Sequence, residues 1–521
     1  VGSINQKFDV IVIGSGGAGL VAALEANDLG ASVLVVSKAP LGLNNCTTYA
    51  GGGFSYAGPG GSKEDHRQRT AEIGRQIGDT ALQQVFSLEG PEAVAALRNW
   101  GVQLREHPGG GSVTQGSPLP GVGGLGMTYP LVQELHRRQL PALEEWMVAQ
   151  ILCDERGVTG IEVINLKNGE RATISCSALI VATGGGGRIY GRTNNPGGTT
   201  GDGYHLLHQV GCTFRDMEFV QFYPIGLAEP ELPLWFIDLS IIDRVPLVNS
   251  AGQEFLLAQL KEWGLANGRE GNLYARDRCS ISIFQQYYQG DTALLHLEQL
   301  SEEDWQRGQM SRILRLNRPG SFDFTQQGVR VKPLQHYMCG GVVIDTQGAT
   351  AVPGLYACGE VTGGVDGANR IGGNALTNIT LFGKRAAAGA VSYAREAVPA
   401  KEAVGGGHPL HLKWQANSQG VSPVKLRLQL QETMDLYVAP LRDASGLNKA
   451  LAILEEIRNE MPSIYLKDNR DLREALELQG LVTTAELVTK AALMRTESRG
   501  VHFRWDYPEE NPSWAKAIFV R

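Results

Sequence analysis

Three glycines near the start of the chain carry the first chemical signal. Gly14, Gly16 and Gly19 stand in the spacing Gly-x-Gly-x-x-Gly, directly after the apolar run Phe8-Asp9-Val10-Ile11-Val12-Ile13. The segment that follows, Leu20-Val21-Ala22-Ala23-Leu24-Glu25-Ala26, has helical propensity. In such a setting the first glycine permits a tight turn, the second admits a phosphate and the third packs helix on strand. A pyrophosphate is thereby brought to a helix N-terminus. The motif alone is weak; a strand before it and a helix after it make it specific. The acid that would hold a ribose at the end of the next strand is missing, and Ser37-Lys38 stands there instead, which argues against a plain NAD site. The seven cysteines are scattered, with no CxxC and no CxxCH spacing, so iron–sulfur, zinc and haem sites lack their usual patterns. A net charge of −7 without a basic block argues against nucleic acid as a partner.

The glycines need a βαβ unit around them, and residues 31–36 supply its second strand. Two more strand-plus-glycine signals follow, at Ala178-Leu179-Ile180-Val181-Ala182-Thr183-Gly184-Gly185 and Gly354-Leu355-Tyr356-Ala357-Cys358-Gly359-Glu360. One sheet built from segments so far apart requires a large insertion, placed at 226–335. From about 420 onward the period is helical: Leu447, Leu451, Leu454 and Ile457 share one face, and a long helix runs through Ala485–Arg495. Gly405-Gly406-Gly407 reads as a linker before that region. A chain of 521 residues exceeds one core, since single cores stop growing near ~250–300 residues. Hydrophobic residues at 42% and charged residues at 19% are ordinary for a globular protein. No apolar run approaches the ~18 residues of a membrane span. No signal peptide is visible, although Val1-Gly2-Ser3 has the look of a cloning scar and leaves a removed leader open. The unpaired cysteines suit a reducing compartment, so a cytoplasmic location is expected, with membrane association only through a partner.

Further motifs carry a resemblance. Ser37-Lys38, Ala182-Thr183-Gly184-Gly185-Gly186-Gly187, Thr200-Gly201-Asp202-Gly203, Met217-Glu218-Phe219-Val220-Gln221 and His336-Tyr337-Met338-Cys339-Gly340-Gly341 occur in order. Gly354 to Glu360, Gly367-Ala368-Asn369-Arg370-Ile371-Gly372-Gly373-Asn374-Ala375-Leu376 and the tail Met494-Arg495-Thr496-Glu497-Ser498-Arg499-Gly500 complete the series. Together, through almost the whole chain, they resemble the succinate dehydrogenase and fumarate reductase flavoprotein family, which includes L-aspartate oxidases. The resemblance implies an α/β fold: a discontinuous Rossmann-like FAD-binding domain at 1–225 and 336–405, an inserted α+β capping domain at 226–335, and a C-terminal helical domain at 415–521. It implies FAD held by Gly14, Gly16, Gly17, Ala18, Gly19, Ser37, Lys38, Asn45, Cys46, Thr47, Ala50, Gly51 and Gly52. Ala182, Thr183, Gly184, Asp202, Gly359, Glu360, Arg370, Asn374, Ala375 and Leu376 complete that set. Glu360 is suited to a ribose hydroxyl, and the helix opened by Asn374 would face the flavin ring with its positive end. Arg370 would clamp a substrate carboxylate bidentately, with His336 adding a hydrogen bond. Arg276 resembles the family's proton-shuttle arginine. A surface ion pair with Asp277 is its bland alternative, and Arg278 competes for the role.

Three departures qualify this. Tyr223 replaces a carboxylate-holding histidine after Gln221. In Phe236-Ile237-Asp238-Leu239-Ser240-Ile241 the family's threonine, glutamate and arginine have become Ile237, Asp238 and Ile241. A second substrate carboxylate would lose most of its partners, and an unpaired buried charge costs several kcal/mol. Phe236, Ile237 and Ile241 suggest a less polar group there, while Tyr223 and Asp238 suit a hydrogen-bond donor or ring nitrogen, as in urocanate-reductase-like relatives. Asp238 and Arg244 are candidates to rebuild the proton path. Leu43 to Gly52 holds no histidine for covalent attachment, so noncovalent FAD is expected, with Cys46 nearby.

The expected activity is an FAD-dependent oxidoreductase acting on the carbon–carbon bond beside a carboxylate, with fumarate and succinate disfavoured. The expected partners are a small carboxylate substrate and an iron–sulfur or other electron-transfer protein. The alternatives are an amino-acid or amine oxidase of L-aspartate-oxidase type and a flavoprotein subunit of an electron-transfer complex.

Overall fold

The computed structural model describes residues 2–114, 123–306, 308–316, 322–396 and 420–521. The glycine linker read at 405–407 lies outside the described residues. Strand β1 (Gly2–Ile13) leads through the glycine turn into α1 (Gly17–Asp28) and then β2 (Val33–Ser37). Next come β3 (Ala142–Glu144), β4 (Trp146–Asp154), β5 (Gly157–Asn165) and β6 (Arg171–Val181). Helix α2 (Arg276–Tyr288) belongs to the inserted region, and β7 (Leu355–Ala357), α3 (Asn374–Glu396) and α4 (Asn469–Met494) follow. The sheet order is β3-β2-β1-β6-β5-β4, with β7 also on β6. β1 is parallel to β2 through Val10↔Val33 and to β6 through Ile11↔Leu179. β7 joins β6 in parallel through Leu355↔Leu179. All five residues of β2 are buried, as a parallel strand covered on both faces must be.

Within the segment between β6 and β7, the stretch from Ile225 to Val331 forms its own body, while Ile189 to Phe222 and Met338 to Ile344 pack with the large sheet. A three-stranded sheet of Leu247–Val248, Leu294–Leu295 and Val329–Arg330 packs with short helices and α2 around Ile237, Leu260, Ile283 and Phe324. These residues form a core separate from the one around the large sheet. The C-terminal helices Pro423–Tyr437, Ala444–Glu460 and α4 do not stand apart: Leu430, Leu454 and Leu481 pack into the same continuous core as β1 and α1.

The tail is fastened by charge. Arg495 Nε donates to Glu218 Oε1 at 2.6 Å, and Glu497 accepts from Arg495 at 2.9 Å and from Arg499 at 2.7 Å. Such charges are buried tolerably only when paired and hydrogen-bonded, so removing one partner is costly. Beyond them, Phe519–Val520 adds a strand to Phe214–Arg215.

Candidate active site

Where β1, β2 and β6 end, the chain forms an open cleft with about 930 Å³ of empty space, part of it continuous with solvent. Its walls hold Gly14, Gly16, Gly17 and Ala18 from the turn and α1, and Ser37 and Lys38 after β2. Asn45, Cys46 and Thr47 come from the next loop, Ala182, Thr183 and Gly184 from the end of β6, and Asp202 and Glu360 from farther along. Gly14 has φ +108°, and a Cβ there would run into the carbonyl oxygen of Ala182. Gly19 lies beneath the wall, where a Cβ would strike the carbonyl oxygen of Gly14. Ala50, Gly51, Gly52, Gly359, Asn374, Ala375 and Leu376 are not lining residues, though α3 contributes Ile379.

The donor set fits a dinucleotide. α1 is capped by Gly16, which has no side chain to offer, and has no acid in its first turn; Gly17 N donates to Thr47 Oγ1 at 3.2 Å, and the helix dipole favours an anion there. Asn45 Nδ2 and Thr183 Oγ1 are buried without partners among the described residues, and buried polar groups call for one. Some expected contacts are already engaged within the protein. The Lys38 ammonium pairs with Asp202 at 2.6 Å and Glu477 at 3.1 Å, and Ser37 Oγ bonds Ser15 Oγ at 2.7 Å. Glu360 Oε1 accepts from Met338 N at 2.9 Å, and burial pushes its carboxyl up to about 7.

Beyond the cavity, two arginines flank one space. Arg370, in the loop between β7 and α3, lies 4.1 Å over the Tyr337 ring. Its Nη2 donates to Gln221 Oε1 at 3.1 Å and its Nη1 to Ile371 O at 3.4 Å, while its buried Nε has no partner among the described residues. Arg276 is the first residue of α2 and 7% exposed. A Cβ at Gly372, two residues past Arg370, would lie 3.2 Å from Arg276 Nη2. Nε and Nη2 of Arg276 donate to Asn272 Oδ1 at 3.2 and 3.0 Å, and burial lowers the Arg276 pKa.

Asn272 is the hub of the far wall. Its Nδ2 donates to Asp238 Oδ2 at 3.0 Å. The Tyr223 hydroxyl lies 3.1 Å from Asn272 Oδ1 and 3.4 Å from Asp238 Oδ2, and accepts from Leu239 N at 3.3 Å. Asp238 Oδ1 accepts from Ser240 N and Oγ at 3.0 and 2.6 Å. Neutral donors thus surround Asp238. The rings of Tyr223 and Phe236 pack 4.6 Å apart, with His336 5.4 Å from Tyr223. His336 Nδ1 meets the Asn194 amide at 3.1 Å. Burial, then Arg370 and Arg276, holds the His336 pKa well below 6.5, so the ring is neutral.

Several expectations change here. Arg278 is exposed over Trp263 and away from this space. Asp277 does not pair with Arg276; it accepts from Arg75 Nη2 at 3.0 Å. Arg244 does not rebuild a path to Asp238, because it pairs with Asp304 at 3.0 Å on the surface. Ile237 and Ile241 turn into the core of the inserted body, so Phe236 and Tyr223 form the apolar wall.

Comparison with known proteins decides the family. Residues 9–376 match the FAD binding domain family, and 427–521 match the fumarate reductase flavoprotein C-terminal family. One subunit of the fumarate reductase (CoM/CoB) of Methanothermobacter marburgensis is 31% identical, across 99% of this chain and 97% of that protein. The chain belongs to the succinate dehydrogenase and fumarate reductase flavoprotein family. L-aspartate oxidase of Streptomyces coelicolor is 30% identical over 98% of this chain and 91% of its own length. Among solved structures, a quinol fumarate reductase of E. coli superposes with TM-score 0.85 at 26% identity, over 99% of this chain and 94% of that one. As a member of this family the protein is an FAD-dependent oxidoreductase. Asn272 and Asn194, which hold Arg276 and His336, were missed by the sequence reading. The four-residue spacing of Asn272 and Arg276 was the available signal; Asn194 had none.

Proposed function

We propose that the protein exchanges hydride at the carbon–carbon bond beside the carboxylate of a monocarboxylate, in preference to fumarate or succinate. The carrying observation is the asymmetry of charge: Arg370 offers a buried Nε–H, unpartnered among the described residues, at one end. The Asp238 carboxyl, whose hydrogen-bond partners among the described residues are neutral donors, stands at the other. When bound, FAD would supply or accept the hydride. Arg370 holds the carboxylate, kept in plane by Tyr337 and Gln221. Neutral His336, oriented by Asn194, adds one hydrogen bond. Arg276 gives a proton to the carbon that the hydride does not reach and regains it from solvent; burial eases that loss. Asn272 and Asp238 orient Arg276 without a carboxylate touching the guanidinium.

Asp238 also favours a second reading, an amine oxidase in which it would hold an ammonium group, and a relative is named an L-aspartate oxidase. Peroxide release in air with amino acids and amines separates the two: bleaching of the yellow protein by saturated monocarboxylates, without peroxide release on amines, supports the first. Relatives named as subunits of larger enzymes support an electron-transfer partner, iron–sulfur or other, which affinity capture from the native source would test. Noncovalent attachment of FAD is part of the proposal. No helix among the described residues is long and apolar enough to cross a membrane.

A further inference from the structure

A buried carboxylate lies behind the clamp arginine. Asp366, four residues before Arg370, is 4% exposed. Its Oδ2 accepts from the Tyr337 hydroxyl at 3.2 Å, and its Oδ1 is buried with no partner among the described residues. Arg370 lies over the same Tyr337 ring. The loop carrying both residues is pinned, so Asp366 cannot swing to solvent. Gln83 Nε2 donates to Val365 O at 2.9 Å, Ala368 N to Gly74 O at 2.9 Å, and Val501 N to Ala368 O at 3.0 Å.

We infer that Asp366 is the counter-charge of the carboxylate clamp and takes up one proton from solvent when a carboxylate binds Arg370. This rests on the role proposed above for Arg370. Before binding, the Asp366 anion offsets the cost of a buried guanidinium and, through Tyr337, enriches the ring against which that cation stacks. A bound carboxylate places a second anion on the same guanidinium in a dry site. Two carboxylates so placed cannot both stay ionised, and one pKa is driven up. The ligand has the direct forked contact with Arg370, whereas Asp366 reaches it only across the ring, so Asp366 accepts the proton. No electrons move: one proton leaves solvent and one O–H bond forms on Asp366.

Neighbouring groups leave the proton with one main competitor. Burial pushes Asp366 up to about 6, against Arg370, Tyr337 and Asn374, which pull the other way. Tyr337 and Cys339 are pushed well above their ordinary values by burial and stay protonated. His336 stays neutral. Glu360, at about 7, is the competitor. Carboxylate affinity should therefore be flat below about pH 6 and weaken above it.

The test uses the FAD-loaded protein with acetate and benzoate as unreactive probes. Binding is read by flavin absorbance, and proton uptake by calorimetry in two buffers of different ionisation enthalpy. The wild type should take up close to one proton per probe at pH 7.5, and its Kd should rise up to tenfold per pH unit from about 6.5 to 8. Asp366→Asn should show uptake near zero and a flat Kd. Absence of uptake in the wild type overturns the inference whether or not the variant folds. So does unchanged uptake in Asp366→Asn, or its loss only in Glu360→Gln. Unaltered probe binding in Arg370→Lys, or no binding to the wild type, refutes the clamp itself and with it the proposed function.

Discussion

Replacing Arg276 by glutamine removes the one cation that the proposed reaction uses when the proton moves. The side chain is held by two hydrogen bonds to a single oxygen of Asn272 and lies 5.0 Å over the Tyr223 ring. Neither contact involves the cavity of the glycine motif, so FAD should stay bound. A positioned general acid contributes about 10²–10⁴ in rate, and loss of an electrostatic donor costs a similar factor. Because both effects belong to one group and overlap, turnover should fall by about 10³–10⁵, or roughly 4–7 kcal/mol of barrier. Ligand affinity should change by less than about tenfold, since Arg370 makes the forked contact. The assay pairs carboxylate binding, read from the flavin spectrum, with turnover under single-turnover conditions. Arg278→Gln is the control: its guanidinium is exposed over Trp263, and turnover should stay within about twofold. Near-normal turnover in Arg276→Gln, or an equal loss in Arg278→Gln, would refute the assignment.

Acid precipitation should release all yellow colour into the supernatant, because no histidine lies in the Leu43–Gly52 segment; colour retained in the pellet contradicts noncovalent FAD. Tyr223→His alone should leave fumarate turnover within about threefold of the parent, because the Asp238 carboxylate remains at that end to repel a second substrate carboxylate; a gain of a hundredfold or more would show that the tyrosine alone sets specificity. Stability should fall in acid through His66 and His205, both lowered by burial to about 4. The unfolded state takes up protons first, so their contribution is full above about pH 6.5 and is lost as pH falls toward 4, on the order of 3 kcal/mol each. Chemical denaturation of His66→Gln should show a shallower loss between pH 6.5 and 4.5, and an unchanged slope would exclude His66 as a source.

The dinucleotide cavity was legible because its signal is local. Gly14, Gly16 and Gly19 lie within six residues, and their steric need follows from the turn itself. The family motifs carried the resemblance that placed Arg276, His336 and Arg370 in one site, although they are far apart in sequence. What the residues alone could not give was direction. Ile237 and Ile241 read as part of the substrate wall, yet both lie in the core of the inserted body: Ile237 N is bonded to Ile225 O at 2.9 Å, and Ile241 belongs to the short helical turn at Leu239–Asp243. Arg244 sits at the end of the same turn and faces out to Asp304. The period of Leu447, Leu451, Leu454 and Ile457 revealed an apolar face but not its cover: Leu447, Leu454 and Ile457 enter the core shared with the large sheet, while Leu451 is only partly buried. Asp366 falls between the motifs read in the sequence and carried no signal there; only the stacking of Arg370 on Tyr337 gives its charge a role.

The measurement that bears most directly on the central claim is the rate of flavin reoxidation when the anaerobically reduced protein meets a panel of enoates. The panel should hold fumarate beside monocarboxylates with apolar, aryl or donor-bearing far groups. Reoxidation by at least one monocarboxylate much faster than by fumarate, and lost in Arg370→Lys, is the expected result. Fumarate reacting fastest, or no enoate reacting at all, would contradict it.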